Sequence, residues 1–416
     1  MKRTRTKENY KIWIGVLALL VLLLAVTQGM LYYYTTQLSL VLKGPEKITI
    51  GLNGVYDEQG VEAKLSGRDV SDDVKISGTV DPSTPGTYTL TYRSKTLTVK
   101  RQVIVGNTME PVLQLNGTEH LSVKLGEDFE EPGYTAYDKQ GNDLTSQVQV
   151  SAVDLKRAGE QKITYTVSDG EGNTTQIARA VTVEPNTEYR TSGLPICMYH
   201  YVYDENDPPA DLHDRFNNYI SAQALEEELN WLNSEGYYYP TWKEVRDYVD
   251  GKLLLPEKSI VLCFDDGSKS FLEHGIPVLE KCKVPATSFM ITSSKGKEKI
   301  ANYQSDYVNY ESHSHNMHRP GGNIGHGGIF TAIAYDAGMA DLKKSIDICG
   351  SSDALAYPYG DYNDSCIKMA EDAGFLCAVT TAPGRAKPGQ NPLLLPRVRM
   401  VLGQTLDHFQ YMVSPR

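Results

Sequence analysis

Residues 44 to 185 spell one pattern twice, and this repeat narrows what the chain can fold into more than any other feature. In the first copy Tyr56-Asp57-Glu58-Gln59-Gly60 leads to Gly67-Arg68-Asp69-Val70-Ser71, to Val74-Lys75-Ile76, and then to Pro85-Gly86-Thr87-Tyr88-Thr89-Leu90-Thr91-Tyr92. The second copy runs Phe129-Glu130-Glu131-Pro132-Gly133, Gly141-Asn142-Asp143-Leu144-Thr145, Val148-Gln149-Val150 and Ala158-Gly159-Glu160-Gln161-Lys162-Ile163-Thr164-Tyr165. Each copy closes on an apolar run, Arg101-Gln102-Val103-Ile104-Val105 and Ala178-Arg179-Ala180-Val181-Thr182-Val183. Apolar and polar residues alternate between punctuating Gly, Asp, Asn and Pro, a period of two that suits strands and not helices. Two small all-β sandwiches are expected, over 44–106 and 107–185, followed by a linker around Glu184-Pro185-Asn186-Thr187-Glu188.

Upstream, Ile12 to Tyr34 contains no charged residue, and Lys2, Arg3, Arg5, Lys7 and Lys11 precede it. At about 1.5 Å per residue that run covers roughly 34 Å, enough for a hydrocarbon core of about 30 Å. Basic residues hold their end in the cytoplasm, and Tyr32, Tyr33 and Tyr34 stand where an interfacial aromatic belt belongs. The sequence therefore predicts a cytoplasmic segment over 1–11, a transmembrane helix over 12–34, and everything after it outside the cell. A cleavable signal peptide is the competing reading, but Thr27-Gln28-Gly29-Met30 offers no small-x-small cleavage site.

The 416 residues leave room for a further large domain, and net charge decides what it does not bind. With Asp+Glu 52 against Lys+Arg 41, the balance of −11 argues against coating nucleic acid. No obligate protein partner is evident. Tyr outnumbers Phe by 27 to 8, which suits solvated sheet surfaces and sugar-stacking clefts alike. The six cysteines, Cys197, Cys263, Cys282, Cys349, Cys366 and Cys377, show no CxxC spacing and read as small buried hydrophobes.

From Leu194 apolar runs alternate with helical patterns, as in βα units around a parallel sheet or barrel. Ser259-Ile260-Val261-Leu262-Cys263-Phe264 reads as a buried strand ending directly in Asp265-Asp266-Gly267. Adjacent carboxylates repel, so a pair at a strand end needs a cation or a shared proton. Glu311-Ser312-His313-Ser314-His315-Asn316-Met317-His318 holds three of the nine histidines. Imidazoles with a carboxylate are the usual ligands of a catalytic zinc.

Cys263-Phe264-Asp265-Asp266-Gly267 with a downstream His-Ser-x-x-x-His resembles the polysaccharide deacetylases of carbohydrate esterase family 4, the NodB-like domain, over about 225 residues. Val284-Pro285-Ala286-Thr287-Ser288-Phe289 is similar to the family's second strand, and Ala356-Tyr357-Pro358-Tyr359-Gly360 to its substrate-cleft motif. Leu194-Pro195-Ile196-Cys197-Met198-Tyr199-His200 matches a subgroup that includes poly-N-acetylglucosamine deacetylases, in which the catalytic acid comes from the domain's start. The β-repeats resemble bacterial immunoglobulin-like surface modules, as spacers or as wall binders.

The resemblance implies a multidomain protein, with the two sandwiches followed by an α/β distorted (β/α) barrel over 190–416. It implies removal of N-acetyl groups from a GlcNAc polymer, peptidoglycan or poly-β-1,6-GlcNAc, with an O-acetyl esterase or an inactive glycan-binding protein as the alternatives. Carried over by position, Asp265 is the base and His200 the acid. Asp266, His313 and His318 hold a divalent metal, zinc foremost, with Co, Mn or Ni open. The Tyr359 N–H serves the oxyanion, with Pro358 and Tyr357 in the same cleft. A site using His315 with His318 would change the ligands and not the reaction. Ala356 stands where many members carry an Arg that orients the base, a task that Arg397 or Arg399, or neither, takes over. His408 mimics a late family motif but falls in an amphipathic terminal helix expected over 405–412.

Overall fold

In the computed structural model, which describes residues 17, 19–28, 30, 38–51, 53–106, 110–169 and 172–416, the repeat recurs strand for strand. The first module pairs Lys47–Gly51, Leu97–Gly106, Gly86–Ser94 and Lys75–Ser77 in that spatial order, beside a three-stranded sheet begun by Leu38–Leu42. The second orders His120–Lys124, Thr174–Glu184, Gly159–Ser168 and Gln149–Val150 in the same way, beside a two-stranded sheet. Alternation puts Leu90, Tyr92, Val103 and Val105 inside the first module and Ile163, Tyr165, Val181 and Val183 inside the second.

Each module also buries one arginine at the same repeat position, which the alternation alone does not reveal. Arg101 donates to the carbonyls of Pro45 at 3.1 Å and Lys43, and pairs with Glu58 at 2.5 Å. Arg179 donates to the carbonyls of Asn116 at 2.7 Å, Gly133 at 3.1 Å and Thr118, and meets Glu131 at 3.1 Å. A guanidinium has five donors and no acceptor, so one buried arginine satisfies several turn carbonyls that no strand can reach.

Of the expected span over 12–34, residues 12–16, 18, 29 and 31–34 lie outside the described residues. Residues 17, 19–28 and 30 are helical, with exposed leucines, and among the described residues no helix is long and apolar enough to cross a membrane.

The chain divides into two compact units, and the second contains residues 183–416. Its sheet strands are β1 (Ile196–Tyr199), β2 (Val261–Phe264), β3 (Ala286–Met290), β4 (Val308–Ser312), β5 (Ala354–Ala356), β6 (Cys377–Pro383) and β7 (Leu395–Arg399). They pair in parallel in chain order, and β1 also pairs with β7, so the ring closes. Strands buried on both faces must be apolar throughout, as β2 is. Helices α1 (Ala222–Ser234), α2 (Trp242–Val249), α3 (Ile276–Cys282), α4 (Gly296–Asn302), α5 (Tyr335–Cys349) and α6 (Asp364–Asp372) fall between successive strands from β1 to β6, and α7 (Leu406–Val413) follows β7.

Local chemistry starts these helices where they start. Ser221 caps α1, Thr241 and Glu244 form a reciprocal capping box on α2, and Asn363 and Thr405 cap α6 and α7. Leu225, Leu229 and Leu232 of α1 pack with Tyr199, Leu262, Phe264 and Phe271. The rings of Tyr199 and Phe264 stack at 4.9 Å. All six cysteines are free, and all but the half-buried Cys349 are buried.

One carboxyl is enclosed in that packing. Glu228 accepts from the Tyr199 hydroxyl at 2.6 Å, and burial, opposed by that bond, pushes its pKa up to about 8. The folded chain then keeps a proton that the unfolded chain releases above the ordinary carboxylate range. Stability therefore falls as pH rises from about 4.5 and levels off above about 8. Glu228→Gln should flatten that slope, with little effect at pH 5 and a gain of about 1 to 3 kcal/mol at pH 8, read by urea unfolding. Parallel curves for the two proteins would contradict it.

Candidate metal and catalytic centre

Every residue of the expected site stands at or just beyond the C-terminal end of a parallel strand, apart from Arg397 inside β7. His200 follows β1, Asp265 and Asp266 follow β2, His313 follows β4, and Tyr357 follows β5. The register pairs Tyr199 with Phe264, and the Asp265 N–H donates to the Tyr199 carbonyl at 3.0 Å, which sets His200 alongside Asp265. Loops at this end of a parallel barrel are free of the packing that holds the strands, so chemistry collects there.

The turn after β2 separates the two carboxylates. Asp266 adopts φ +72° and Gly267 φ +57°. Asp tolerates the left-handed region; at Gly267 a Cβ would also stand 2.3 Å from the Met290 sulfur. Asp265 thus turns inward and is 3 % exposed. Arg397 grips it with both nitrogens, Nη1 to Oδ1 at 2.8 Å and Nη2 to Oδ2 at 2.7 Å, while Nε donates to the Thr380 carbonyl at 2.8 Å. Burial alone would raise the Asp265 carboxyl; the Arg397 charge and its two bonds outweigh burial and hold it well below the usual carboxylate range.

Asp266 faces the imidazoles instead. Its Oδ1 lies 3.6 Å from Nε2 of His313 and 3.6 Å from Nε2 of His318. The His313 Nδ1 is 2.8 Å from the Ala356 carbonyl, which accepts its proton and leaves Nε2 with a lone pair toward Asp266. His318 is placed by Met317, which is fully buried and whose N–H donates to the Ser314 hydroxyl at 3.0 Å. Burial first, and then the His313 charge, push the His318 imidazole pKa down. The ligand atoms of Asp266, His313 and His318 lie within 4.8 Å of one another. Oδ1 of Asp266 is buried and has no hydrogen-bond partner. A buried carboxylate oxygen without a hydrogen-bond donor, facing the Nε2 atoms of two imidazoles, fits a divalent cation.

His200 is partly exposed, and its Nδ1 is buried without a partner. Burial lowers its pKa, and the charges of Asp265 and Asp266 oppose that. Tyr359 holds φ +60°, and its ring lies 4.1 Å from that of His318. Pro358 and Tyr357 are buried beside it.

His315 is turned elsewhere: its Nδ1 meets the Thr292 hydroxyl at 3.0 Å, so His315 and His318 do not form the alternative pair. Arg399 binds Asn218 Oδ1 at 3.1 Å and the Asn217 carbonyl, so the contact with Asp265 belongs to Arg397 alone. His408 sits in the first turn of α7. The sequence reading missed Tyr201, whose hydroxyl donates to Asp266 Oδ2 at 2.9 Å, and Asp361, which accepts the N–H groups of His326 and Gly328 at 2.9 and 3.0 Å. Tyr201 adjoins His200 in sequence, but one tyrosine among 27 carries no signal of its own.

Removing the guanidinium should leave Asp265 buried without a partner. Arg397→Met is expected to cost about 3 to 5 kcal/mol at pH 7 in urea unfolding. In the wild type, the depressed pKa contributes stability above about pH 4 that is lost on acidification. In the variant the sign reverses, and stability declines as pH rises from about 4. An unchanged acid limb would show that the pair does not govern Asp265.

The chain matches the family model described as polysaccharide deacetylase over residues 253–378, and that described as bacterial surface protein, Ig-like domain, over 40–105 and 113–183. It is 30 % identical to YxkH of Bacillus subtilis (strain 168), which is named as a polysaccharide deacetylase, over 224 residues covering 52 % of this chain and 74 % of that protein. It is 27 % identical to the poly-beta-1,6-N-acetyl-D-glucosamine N-deacetylase of Staphylococcus aureus (strain MRSA252) over 208 residues, 46 % of this chain and 71 % of that one. Among solved structures it is similar to the Streptococcus pyogenes deacetylase PplD in complex with acetate, with 22 % identity, a TM-score of 0.47, and coverage of 54 % of this chain and 99 % of that chain.

Proposed function

The chain belongs to the polysaccharide deacetylase family, and from that premise we propose that it removes N-acetyl groups from GlcNAc residues of a surface polymer outside the cell membrane. The favoured substrate is poly-β-1,6-GlcNAc, by its likeness to the staphylococcal enzyme of that name, with peptidoglycan as the other GlcNAc polymer within reach. The observation that carries this reading is the divergence of two adjacent carboxylates, Asp265 fixed by Arg397 and Asp266 turned to two imidazoles.

Asp266, His313 and His318 would hold a divalent ion, zinc foremost. Such an ion would lower the pKa of bound water to about 7 and polarise the substrate carbonyl. Asp265, kept ionised and oriented by Arg397, accepts the proton of the attacking water. The Tyr359 N–H, in a backbone turn bounded by Pro358, donates to the oxyanion that develops on the acetamide. His200 delivers a proton to the departing amine nitrogen; burial lowers its imidazole pKa, and the Asp265 and Asp266 charges offset that only in part. Water and amide thus become acetate and free amine. Tyr357 and Pro358, both buried, back the Tyr359 turn that borders the cleft.

The uncharged run over 12–34 anchors the chain with residues 1–11 in the cytoplasm, and the β-modules act as spacers that carry the catalytic unit outward. An anchored enzyme meets polymer at the surface and not in solution.

The test is acetate release by the full-length chain from defined poly-β-1,6-GlcNAc, peptidoglycan and acetylated xylan. Release from the first, and little from xylan, is expected; xylan as the better substrate would replace the amide with an ester. Asp265→Asn and His200→Ala should each lower kcat by about 10² to 10⁴, and full activity in both would remove the acid and base roles. About one zinc per chain should bind the wild type and none His313→Ala/His318→Ala, by metal analysis after dialysis.

A further inference from the structure

Asp266 presents one oxygen to His313 and His318, and its other oxygen is already engaged. Oδ2 accepts from the Tyr201 hydroxyl at 2.9 Å, whereas Oδ1 is the atom without a hydrogen-bond partner. Tyr201 opens a short strand, Tyr201–Tyr203, which pairs in parallel with Tyr219–Ser221, so the intervening residues 204–218 form a loop held at both ends. That loop returns Arg215 to Tyr201. The Arg215 Nη1 donates to the Tyr201 hydroxyl oxygen at 3.2 Å, and its guanidinium lies 5.7 Å from the centre of the Tyr201 ring.

The direction of these bonds follows from inventory. A phenol has one hydrogen to donate, and a guanidinium accepts nothing. Arg215 therefore occupies the acceptor side of the hydroxyl, and the phenol hydrogen is left for the carboxylate. Arg215 is in turn fixed by Asp211, Nε to Oδ2 at 3.2 Å, and Asp211 accepts from the Tyr219 hydroxyl at 2.9 Å. The Tyr201 and Tyr219 rings meet at 5.1 Å, which closes the circuit on itself.

We propose that Tyr201, aimed by Arg215, is a positioning residue that restricts Asp266 to one ligating oxygen, so that the 204–218 loop sets how tightly the chain holds its divalent ion. The inference rests on Asp266, His313 and His318 being the ligands. With Oδ2 committed to the phenol, the carboxylate cannot swing to offer both oxygens, and Oδ1 stays aimed between the imidazoles. Groups that orient a ligand in this way typically contribute about 10- to 100-fold to metal affinity.

The test is zinc titration of the metal-stripped full-length chain in mild detergent against a chromophoric chelator, with the visible spectrum of the cobalt-loaded protein as a second readout. Tyr201→Phe removes one oxygen and keeps the ring; it should weaken zinc binding by about 10- to 100-fold and shift the cobalt bands, while the metal-free protein melts as the wild type does. Arg215→Met, at a half-exposed position, should weaken zinc binding in the same direction by a smaller factor and serves alone if Tyr201→Phe does not fold. Equal zinc affinity and superimposable cobalt spectra in the variants would overturn the proposal. A wild type that takes up no zinc or cobalt would overturn the ligand assignment beneath it, so the two failures are told apart.

Discussion

Two carboxylates in consecutive positions at a strand end cannot share one environment, and the bidentate pair between Arg397 and Asp265 is what keeps their environments different. The guanidinium comes from β7, anchors itself on the Thr380 carbonyl of β6, and reaches past β1 to the end of β2. That reach exists only because β1 pairs with both β2 and β7. Closure of the strand ring and the separate surroundings of the two aspartates are therefore one structural fact. Opening the ring would leave a buried anion and a buried cation apart, each carrying a desolvation cost of several kcal/mol.

The same physical solution recurs in the β-modules for a different purpose. Arg101 and Arg179 are fully buried, and each spends its donors on carbonyls of turns where no ladder continues. In these modules the charge is matched by one partly exposed glutamate, Glu58 or Glu131. In the catalytic unit both partners are enclosed, at 1 % and 3 % exposure, and water does not compete. A buried arginine with a partly exposed partner holds loops together; one with an enclosed partner fixes a carboxylate's orientation and favours its ionised form.

The sequence made legible whatever follows from period and punctuation. The two β-modules, the buried strand ending at Asp265, and the histidine cluster all follow from alternation, an apolar run and composition. What stayed hidden depends on pairs distant in sequence. Arg397 and Arg399 were both candidates because they lie two residues apart in one strand and so share a face; their partners decide between them, Arg397 gripping Asp265 and Arg399 binding Asn218. The alternative of His315 with His318 stayed open beside His313 with His318 until the Ala356 carbonyl claimed His313 and the Thr292 hydroxyl claimed His315. Tyr201 and Asp361 could not be singled out, since what marks them is a partner 65 and 35 positions away. The expected helix over 12–34 falls partly outside the described residues, so its length stands on the sequence alone.

Three non-glycine residues with a left-handed backbone stand at the proposed site. Asp266, Ser314 and Tyr359 all hold positive φ without being glycine, and they follow β2, β4 and β5 in turn. Such conformations cost of order 1 kcal/mol or more each and persist only where neighbours over-determine them. The neighbours here are identifiable. Tyr201 holds Asp266, the Ser312 hydroxyl accepts the Ser314 N–H at 3.1 Å, and the turn of Tyr359 is bracketed by the buried Pro358 and by Asp361, which ties down the 326–328 backbone. Each strained residue lies in a loop that carries a residue of the proposed site. The strain is borne by bonds made on folding, so under the proposed mechanism the groups face one another before substrate arrives and reorganisation is removed from the reaction.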